Sequence, residues 1–159
     1  MAMEFVVRPA RAADGRAQAK LFAAVAGERD GIATEPPVDI DQRAAQFARS
    51  ADASIVAVAG GRIIGGIHLE VSRFGFGEVG MNVDRDWRGR GVGTALVRAA
   101  IELARSQGLH KLCLEVFPHN AAGVALYAKC GFVEEGRRIN QYRRANGELW
   151  DSIVMGLLL

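Results

Sequence analysis

Glu78-Val79-Gly80-Met81-Asn82-Val83-Asp84-Arg85-Asp86-Trp87-Arg88-Gly89-Arg90-Gly91-Val92-Gly93-Thr94 is the stretch that decides how this chain is read. Glu78 to Val83 has the composition of a strand. A short polar connector follows, then glycines at 89, 91 and 93, then a long helix-forming run. Glycine opens backbone angles that other residues avoid and lets a ligand approach the main chain. The first turn of a helix adds unpaired N–H groups and the positive end of its dipole. The two together make an anion site suited to phosphate. Spacing removes two common phosphate ligands. A Walker A loop requires Gly-Lys after its second glycine, and this chain has no Gly-Lys pair. A dinucleotide fingerprint would place its third glycine at Thr94 or Leu96. A glycine-rich turn without any ligand remains the alternative.

Working outward, Gly93 to Gln107 reads as the strongest helix, with Leu96, Val97, Ala100, Ile101 and Ala104 at helical spacing and Gly108 at its end. Leu112 to Phe117 reads as a buried strand. With the strand at 78–83 it frames a βαβ unit whose strands are parallel or splayed neighbours. Upstream, Ile55–Ala59 and Ile63–Val71 flank a Gly60-Gly61 hairpin. Gly65-Gly66 within the second strand signals a bulge or a close backbone approach. Phe5–Arg8 reads as a first strand, and Asp14 as the cap of a helix reaching Ala26. The segment 27–38 is a long loop of the kind that shapes pockets. Asp39 or Asp41 then caps a helix to Arg49, with Ile40, Ala44, Phe47 and Ala48 on its apolar side. Downstream, Asn120 caps a helix from Ala121 to Lys129, and strands at 132–143 and 148–157 flank the Asn146-Gly147 hairpin. The expected class is α+β in α/β/α layers, with a mixed, mostly antiparallel sheet of about seven strands and about four helices.

The length of 159 residues suits one domain, 1–159, and half of the residues are apolar, enough for a substantial core. A formal charge of +2 is too small to hold nucleic acid by charge alone. Arg85, Arg88, Arg90 and Arg98 cluster around the glycine turn, in keeping with a polyanionic ligand or with a solvated helix face. No segment approaches the roughly 20 apolar residues of a membrane span. The start, Met1 to Arg8, lacks the basic and apolar parts of a secretory leader. Cys113 and Cys130 form no C-x-x-C motif and read as reduced packing residues. A cytoplasmic location without membrane or nucleic-acid partners is expected. His68, His110 and His119 are scattered without metal-ligand spacing, so no metal is expected.

A second constellation is Asn120-x-x-Gly123-x-x-Leu126-Tyr127-x-x-x-Gly131-Phe132. It and Arg88-x-x-Gly91-x-Gly93 stand in the order of the two signature motifs of the GCN5-related N-acetyltransferases, and the chain resembles that family. The tail, from Gly131-Phe132-x-x-Glu135-Gly136 through Asn146-Gly147-Glu148 to Met155, looks most like the amino-acid, phosphinothricin-type and ribosomal-protein acetyltransferases. Gly123 stands where alanine is usual, a small-for-small change expected to keep a close helix approach.

The resemblance implies transfer of an acetyl group from acetyl-CoA to a primary amine through a tetrahedral intermediate. The acceptor is expected to be a small molecule such as an amino acid. A protein N-terminus or lysine is the alternative, and a non-catalytic acyl-CoA sensor is the reading from another class. The implied cofactor site comprises the main chain of Arg88, Gly89, Arg90, Gly91, Val92, Gly93 and Thr94 for the diphosphate. Met81, Asn82 and Val83 serve the pantetheine arm and thioester, and Asn120 caps its helix beside them. An alkyl ammonium must lose a proton before it attacks. Glu78 is the first candidate for that base, although it also reads as an ordinary charged strand end. Glu115, a carboxylate in an apolar strand, reads foremost as a structural hydrogen-bond partner. Tyr127 occupies the family's general-acid position, where a phenol can protonate the leaving thiolate. A homodimer is compatible with the family pattern.

Overall fold

In the computed structural model, which describes residues 4–159, β4 (Phe76–Val83) passes through a 3₁₀ turn at Arg85–Trp87 into α3 (Val92–Ser106). Met1–Met3, which begin the stretch read for a leader, lie outside the described residues. Before β4 come β1 (Val6–Pro9), α1 (Gly15–Gly27), α2 (Ile40–Arg49), β2 (Ser54–Ala59) and β3 (Arg62–Val71). After α3 come β5 (Lys111–Val116), α4 (Ala121–Lys129), β6 (Val133–Arg143) and β7 (Leu149–Leu158). The seven strands form one sheet in the order β1-β2-β3-β4-β5-β7-β6, antiparallel throughout except for β4 against β5. This is the expected α+β layering.

Side chains alternate across a strand, and the two adjacent glycines of β3 divide the layers between them. A Cβ on Gly65 would lie 3.0 Å from Leu96 of α3, whereas one on Gly66 would point at Gln18 of α1. So α3 covers one face and α1, with α2 behind it, covers the other. The close approach expected at Gly65-Gly66 is therefore real at Gly65. The register irregularity lies there too, where Ala57 opposes Gly65 but Val58 opposes Ile63. On the α3 face, Ile64, Leu96, Val97, Leu112 and Leu114 form the centre of the core with the indole of Trp87.

Two local readings need correction. Asp14 precedes α1 but does not cap it with its side chain. A 3₁₀ turn at Ala12–Asp14 runs straight into the helix, so Asp14 has helical backbone angles, and its carboxylate reaches back to the Arg11 N–H at 2.7 Å and to Arg8. At Gly123, the space that a Cβ would fill holds the Asn120 amide at 2.6 Å rather than a neighbouring helix. The tight helix approach is at Gly93 instead, where a Cβ would meet Leu126 of α4 at 2.6 Å. Asp39, of the two acids offered, is the cap of α2, its Oδ1 accepting from the Gln42 N–H at 3.0 Å.

The parallel pairing of β4 with β5 lasts for three residue pairs, Phe76–Lys111, Gly77–Leu112 and Glu78–Cys113. Beyond Glu78, β4 stays with β3 and β5 stays with β7, so the two strands part. The wedge between them faces the glycine turn at one end and the 27–38 loop at the other.

Candidate active site

A cleft of about 760 Å³ fills this wedge. Its floor is the unpaired side of β4 from Val79 to Val83. One wall is β5 and the start of α4, from Glu115 to Tyr127. The other is α1, α2 and the 27–38 loop. Of the residues singled out in the sequence, Met81, Asn82, Val83, Arg88, Gly89, Gly93, Asn120 and Tyr127 line the cleft together. Arg90, Gly91, Val92 and Thr94 continue the same turn without lining it, and Glu78 stands just outside, exposed, at the last parallel pair.

The glycine turn is built for a small anion. Gly89 has φ +74° and Gly91 φ +87°, the left-handed region that a residue with a Cβ adopts only under strain. No atom lies within 4 Å of where a Cβ on either would stand, so their outer faces are open. Gly91 is the N-cap of α3, and the first N–H groups of that helix precede the Ala95 N–H bond to Gly91. The turn itself contains no acidic residue. A diphosphate fits these features. The Arg88 side chain has a different employment. Its guanidinium pairs both Nη atoms with Glu28 at 2.7 Å, and its Nε donates to the Val83 carbonyl at 3.1 Å. That pairing raises the Arg88 pKa and lowers that of Glu28. Arg88 thus clamps the end of β4 to the end of α1 and leaves anion binding to the main chain.

Tyr127 sits in the last turn of α4, its ring edge-on to Phe132 with centroids 5.9 Å apart. Burial, with a smaller contribution from Cys130, pushes its pKa up to about 12. Asn120 Oδ1 accepts from the Gly123 N–H at 2.9 Å, which turns the chain from β5 into α4 and sets the direction of Tyr127.

Glu115 is fully engaged. Its Oε2 accepts from the Tyr142 hydroxyl at 2.8 Å, its Oε1 from the Ser152 hydroxyl at 2.7 Å, and Arg138 lies 3.1 Å from Oε1. These contacts tie β5, β6 and β7 together, in keeping with a structural partner. Glu78 has no such network. It lies directly opposite Glu70 in the β3–β4 register and on the face of the sheet that carries Cys113 and Glu115.

Sequence reasoning passed over the other end of the cleft. Phe22, Arg43, Phe47 and His68 line it from α1, α2 and β3. His68 lies half-buried opposite Gly80, and burial lowers its pKa. Its Nδ1 is 3.1 Å from the Ser54 hydroxyl. The hints in the sequence were the long 27–38 loop, read as one that shapes pockets, and the apolar face of the second helix, which placed Phe47 in a core without locating the cleft beside it.

The site combines a splayed β4–β5 wedge, a glycine turn at one end and a half-buried tyrosine in its wall. Residues 21–132 match the model of the "Acetyltransferase (GNAT) family". The L-methionine sulfoximine/L-methionine sulfone acetyltransferase of Pseudomonas aeruginosa is 33% identical over 85% of this chain and 84% of its own length. An L-amino acid N-acetyltransferase of Escherichia coli is also 33% identical, over 64% of this chain and 65% of its own. Among solved structures, the phosphinothricin acetyltransferase of Sinorhizobium meliloti in complex with acetyl-CoA superimposes with a TM-score of 0.87, covering 99% of this chain and 89% of that one at 20% identity, a likeness of fold. The chain belongs to the GNAT family of acetyltransferases. It is an acetyl-CoA-dependent N-acetyltransferase. No helix among the described residues is long and apolar enough to cross a membrane.

Proposed function

We propose that the chain transfers the acetyl group of acetyl-CoA to the primary amine of a small molecule of the amino-acid class. The carrying observation is one cleft that joins the glycine turn to a part lined by Phe22, Phe47 and His68. An acceptor that enters between α1, α2 and the 27–38 loop reaches the same floor strand as the cofactor. The acceptors named for the two 33%-identical relatives are of this size and class.

In this reading the main-chain N–H groups of residues 88–94 hold the diphosphate. The open side of β4 at Met81–Val83 pairs with the peptide-like pantetheine arm, and an N–H there polarises the thioester carbonyl and stabilises the oxyanion. Glu78 accepts the proton that the acceptor ammonium must lose, directly or through water, since Glu115 already accepts from Tyr142 and Ser152. The amine nitrogen then bonds to the acetyl carbon to give the tetrahedral oxyanion, the nitrogen loses its second proton to solvent, the C–S bond breaks, and Tyr127 donates its proton to the departing sulfur. Solvent restores the phenol. A phenol held near pKa 12 is fully protonated at neutral pH, as a donor must be.

The test is thiol release from acetyl-CoA with a panel of amino acids, simple amines and N-terminal peptides. Turnover on amino acids and none on peptides is expected. Saturable acetyl-CoA binding with peptide turnover only would overturn the small-molecule reading. Binding with no turnover on any amine would favour a sensor.

A further inference from the structure

The charged side chains along the cleft are paired within the protein, with one exception among the described residues. Glu28 holds Arg88, Asp30 holds His119 at 3.0 Å, and Glu115 is bonded by Arg138 and two hydroxyls. The exception is Arg43, in the first half of α2. No carboxylate lies within salt-bridge distance of it, and the acids nearest in sequence are committed elsewhere: Asp39 caps the helix and Asp41 pairs with Arg16 at 2.9 Å. Its guanidinium carbon instead lies 4.2 Å from the centroid of the Phe22 ring, and Phe22 meets Phe47 edge-on at 6.2 Å. The cation is thus half-buried in the cleft wall, held in place by an aromatic face, and has its N–H edge unclaimed by any anion among the described residues.

Its position separates it from the phosphate turn. Arg43 and Phe47 share their end of the cleft with His68, which stands opposite Gly80 in the sheet. Gly80 precedes the end of β4 by three residues, a distance of about 10 Å along a strand. The other side chains that line the cleft from α1, α2 and β3 supply no competing charge. Phe22 and Val25 come from α1 and Phe47 from α2, and burial favours the neutral form of His68 from β3.

We infer that Arg43 binds a carboxylate carried by the acceptor, so the substrate is an amino acid recognised as such rather than a monoamine. This rests on the acetyl-transfer reading given above. A planar guanidinium meets a carboxylate with two parallel N–H···O bonds, and the aromatic platform fixes that fork in advance. The arrangement selects acceptors that present an anion a few bonds from the attacking nitrogen, and it leaves an unpaired cation in the cleft when the anion is missing. The second consequence sharpens the selection, since a site built for a polar group rejects ligands that lack it.

The experiment compares L-methionine sulfone with its α-amide, and with glutamate α-amide, whose carboxylate is on the side chain, in wild type, Arg43→Gln and Arg43→Lys. Wild type is expected to prefer methionine sulfone to its amide. Arg43→Gln should lower kcat/KM for the acid by about 10- to 100-fold, the range for a charged hydrogen-bonded pair. The loss should fall in acceptor KM, with the acetyl-CoA KM unchanged and the rate on the amide no lower than in wild type, since the variant no longer leaves a cation unpaired there. Arg43→Lys should recover part of it, because it keeps the charge and loses the fork. An Arg43-dependent rate on glutamate α-amide in place of methionine sulfone would assign the carboxylate to the side chain. Equal loss on acid and amide, or no loss on either, would overturn the inference while leaving acetyl transfer intact. No turnover by wild type on any of the three, with acetyl-CoA bound, would overturn the transfer reading itself. Thermal melting of each variant separates misfolding from these outcomes.

Discussion

The two ends of the cleft are made in opposite ways. The phosphate end is one continuous piece of chain, β4, a 3₁₀ turn and the start of α3, and its shape follows from glycines at fixed spacing. The acceptor end is assembled from segments more than a hundred residues apart. Arg144, at the foot of the β6–β7 hairpin, is only 4% exposed, and its Nη1 donates to the Ala33 carbonyl at 2.8 Å. The neighbouring Ala145 N–H donates to Glu35 at 2.7 Å. The guanidinium of Arg144 lies 4.2 Å above Trp150 and 5.5 Å above Phe117. His119 reaches the Asp30 carbonyl at 2.9 Å from the other side. A local motif specifies the cofactor, and long-range tethers set the form of the loop over the acceptor. Changes at the two ends should therefore separate cofactor affinity from acceptor use.

The largest effect is expected at the phosphate end. Gly91→Glu forces a side chain onto a backbone at φ +87° and sets an anion beside a diphosphate. Acetyl-CoA affinity should fall roughly 100-fold or more, since strain and repulsion act together. Gly91→Ala carries only the strain and should fall less. Calorimetric titration checks both, and unchanged affinity in the glutamate variant would remove the anion site from this turn. Tyr127→Phe comes next. It should lower kcat by about 100-fold, the scale of one general acid, with acetyl-CoA affinity nearly intact because the ring keeps its packing on Phe132. An unchanged rate would exclude Tyr127 as the proton donor.

These two changes fall on residues that were legible in the sequence, and the reason is physical. Conformation at Gly89 and Gly91 is decided by the residue itself, and the helices and strands around them by the local period of apolar residues. The seven strands and four helices were readable on the same ground. What was not readable depends on partners remote in sequence. Arg88 looked like part of the anion site, yet its side chain clamps Glu28, sixty residues earlier. Nothing in the sequence singled out Arg43, and only the fold shows that it lines the cleft with no acid within salt-bridge distance among the described residues. Arg144 sat in a hairpin signal, with nothing nearby to say that it would be buried under Trp150. Asp14 failed for a smaller reason: a 3₁₀ turn displaced the cap by one turn.

Arg144 therefore tests the acceptor end. Its replacement by alanine removes the donors to the Ala33 and Ile32 carbonyls and the cation between two aromatic faces. A hydrogen bond from a charged donor contributes about 1.5–3 kcal/mol, so a urea melt should show a loss of about 2 kcal/mol. Acceptor KM should rise several-fold as the 27–38 loop loosens, with acetyl-CoA affinity unchanged. An equal loss of cofactor affinity would mean that the two ends are one cooperative unit and that the division drawn here is wrong.

The smallest effect is a shared one, because the cleft lining holds two tyrosines whose pKa is pushed up to about 12. Burial is the main cause at Tyr127; at Tyr142 burial is joined by the hydroxyl's bond to Glu115. In the unfolded chain both titrate near 10. Between about pH 10 and 12 the folded state therefore binds more protons than the unfolded state, and stability must fall as pH rises. The contribution is complete below pH 10 and is lost on passing the folded values. Thermal midpoints measured from pH 9 to 12 should decline over that window, and less steeply in Tyr127→Phe and in Tyr142→Phe. The enzymatic consequence distinguishes them. Ionising Tyr127 removes the proposed proton donor, so its limb of the rate profile should appear only above about pH 11 and vanish in Tyr127→Phe. Tyr142 donates to Glu115 rather than to the reacting atoms, so its substitution should shift the stability curve and leave that limb in place. Phenolate absorbance rising near pH 10 for both, with no change in the stability slope, would show that neither hydroxyl is desolvated by the fold.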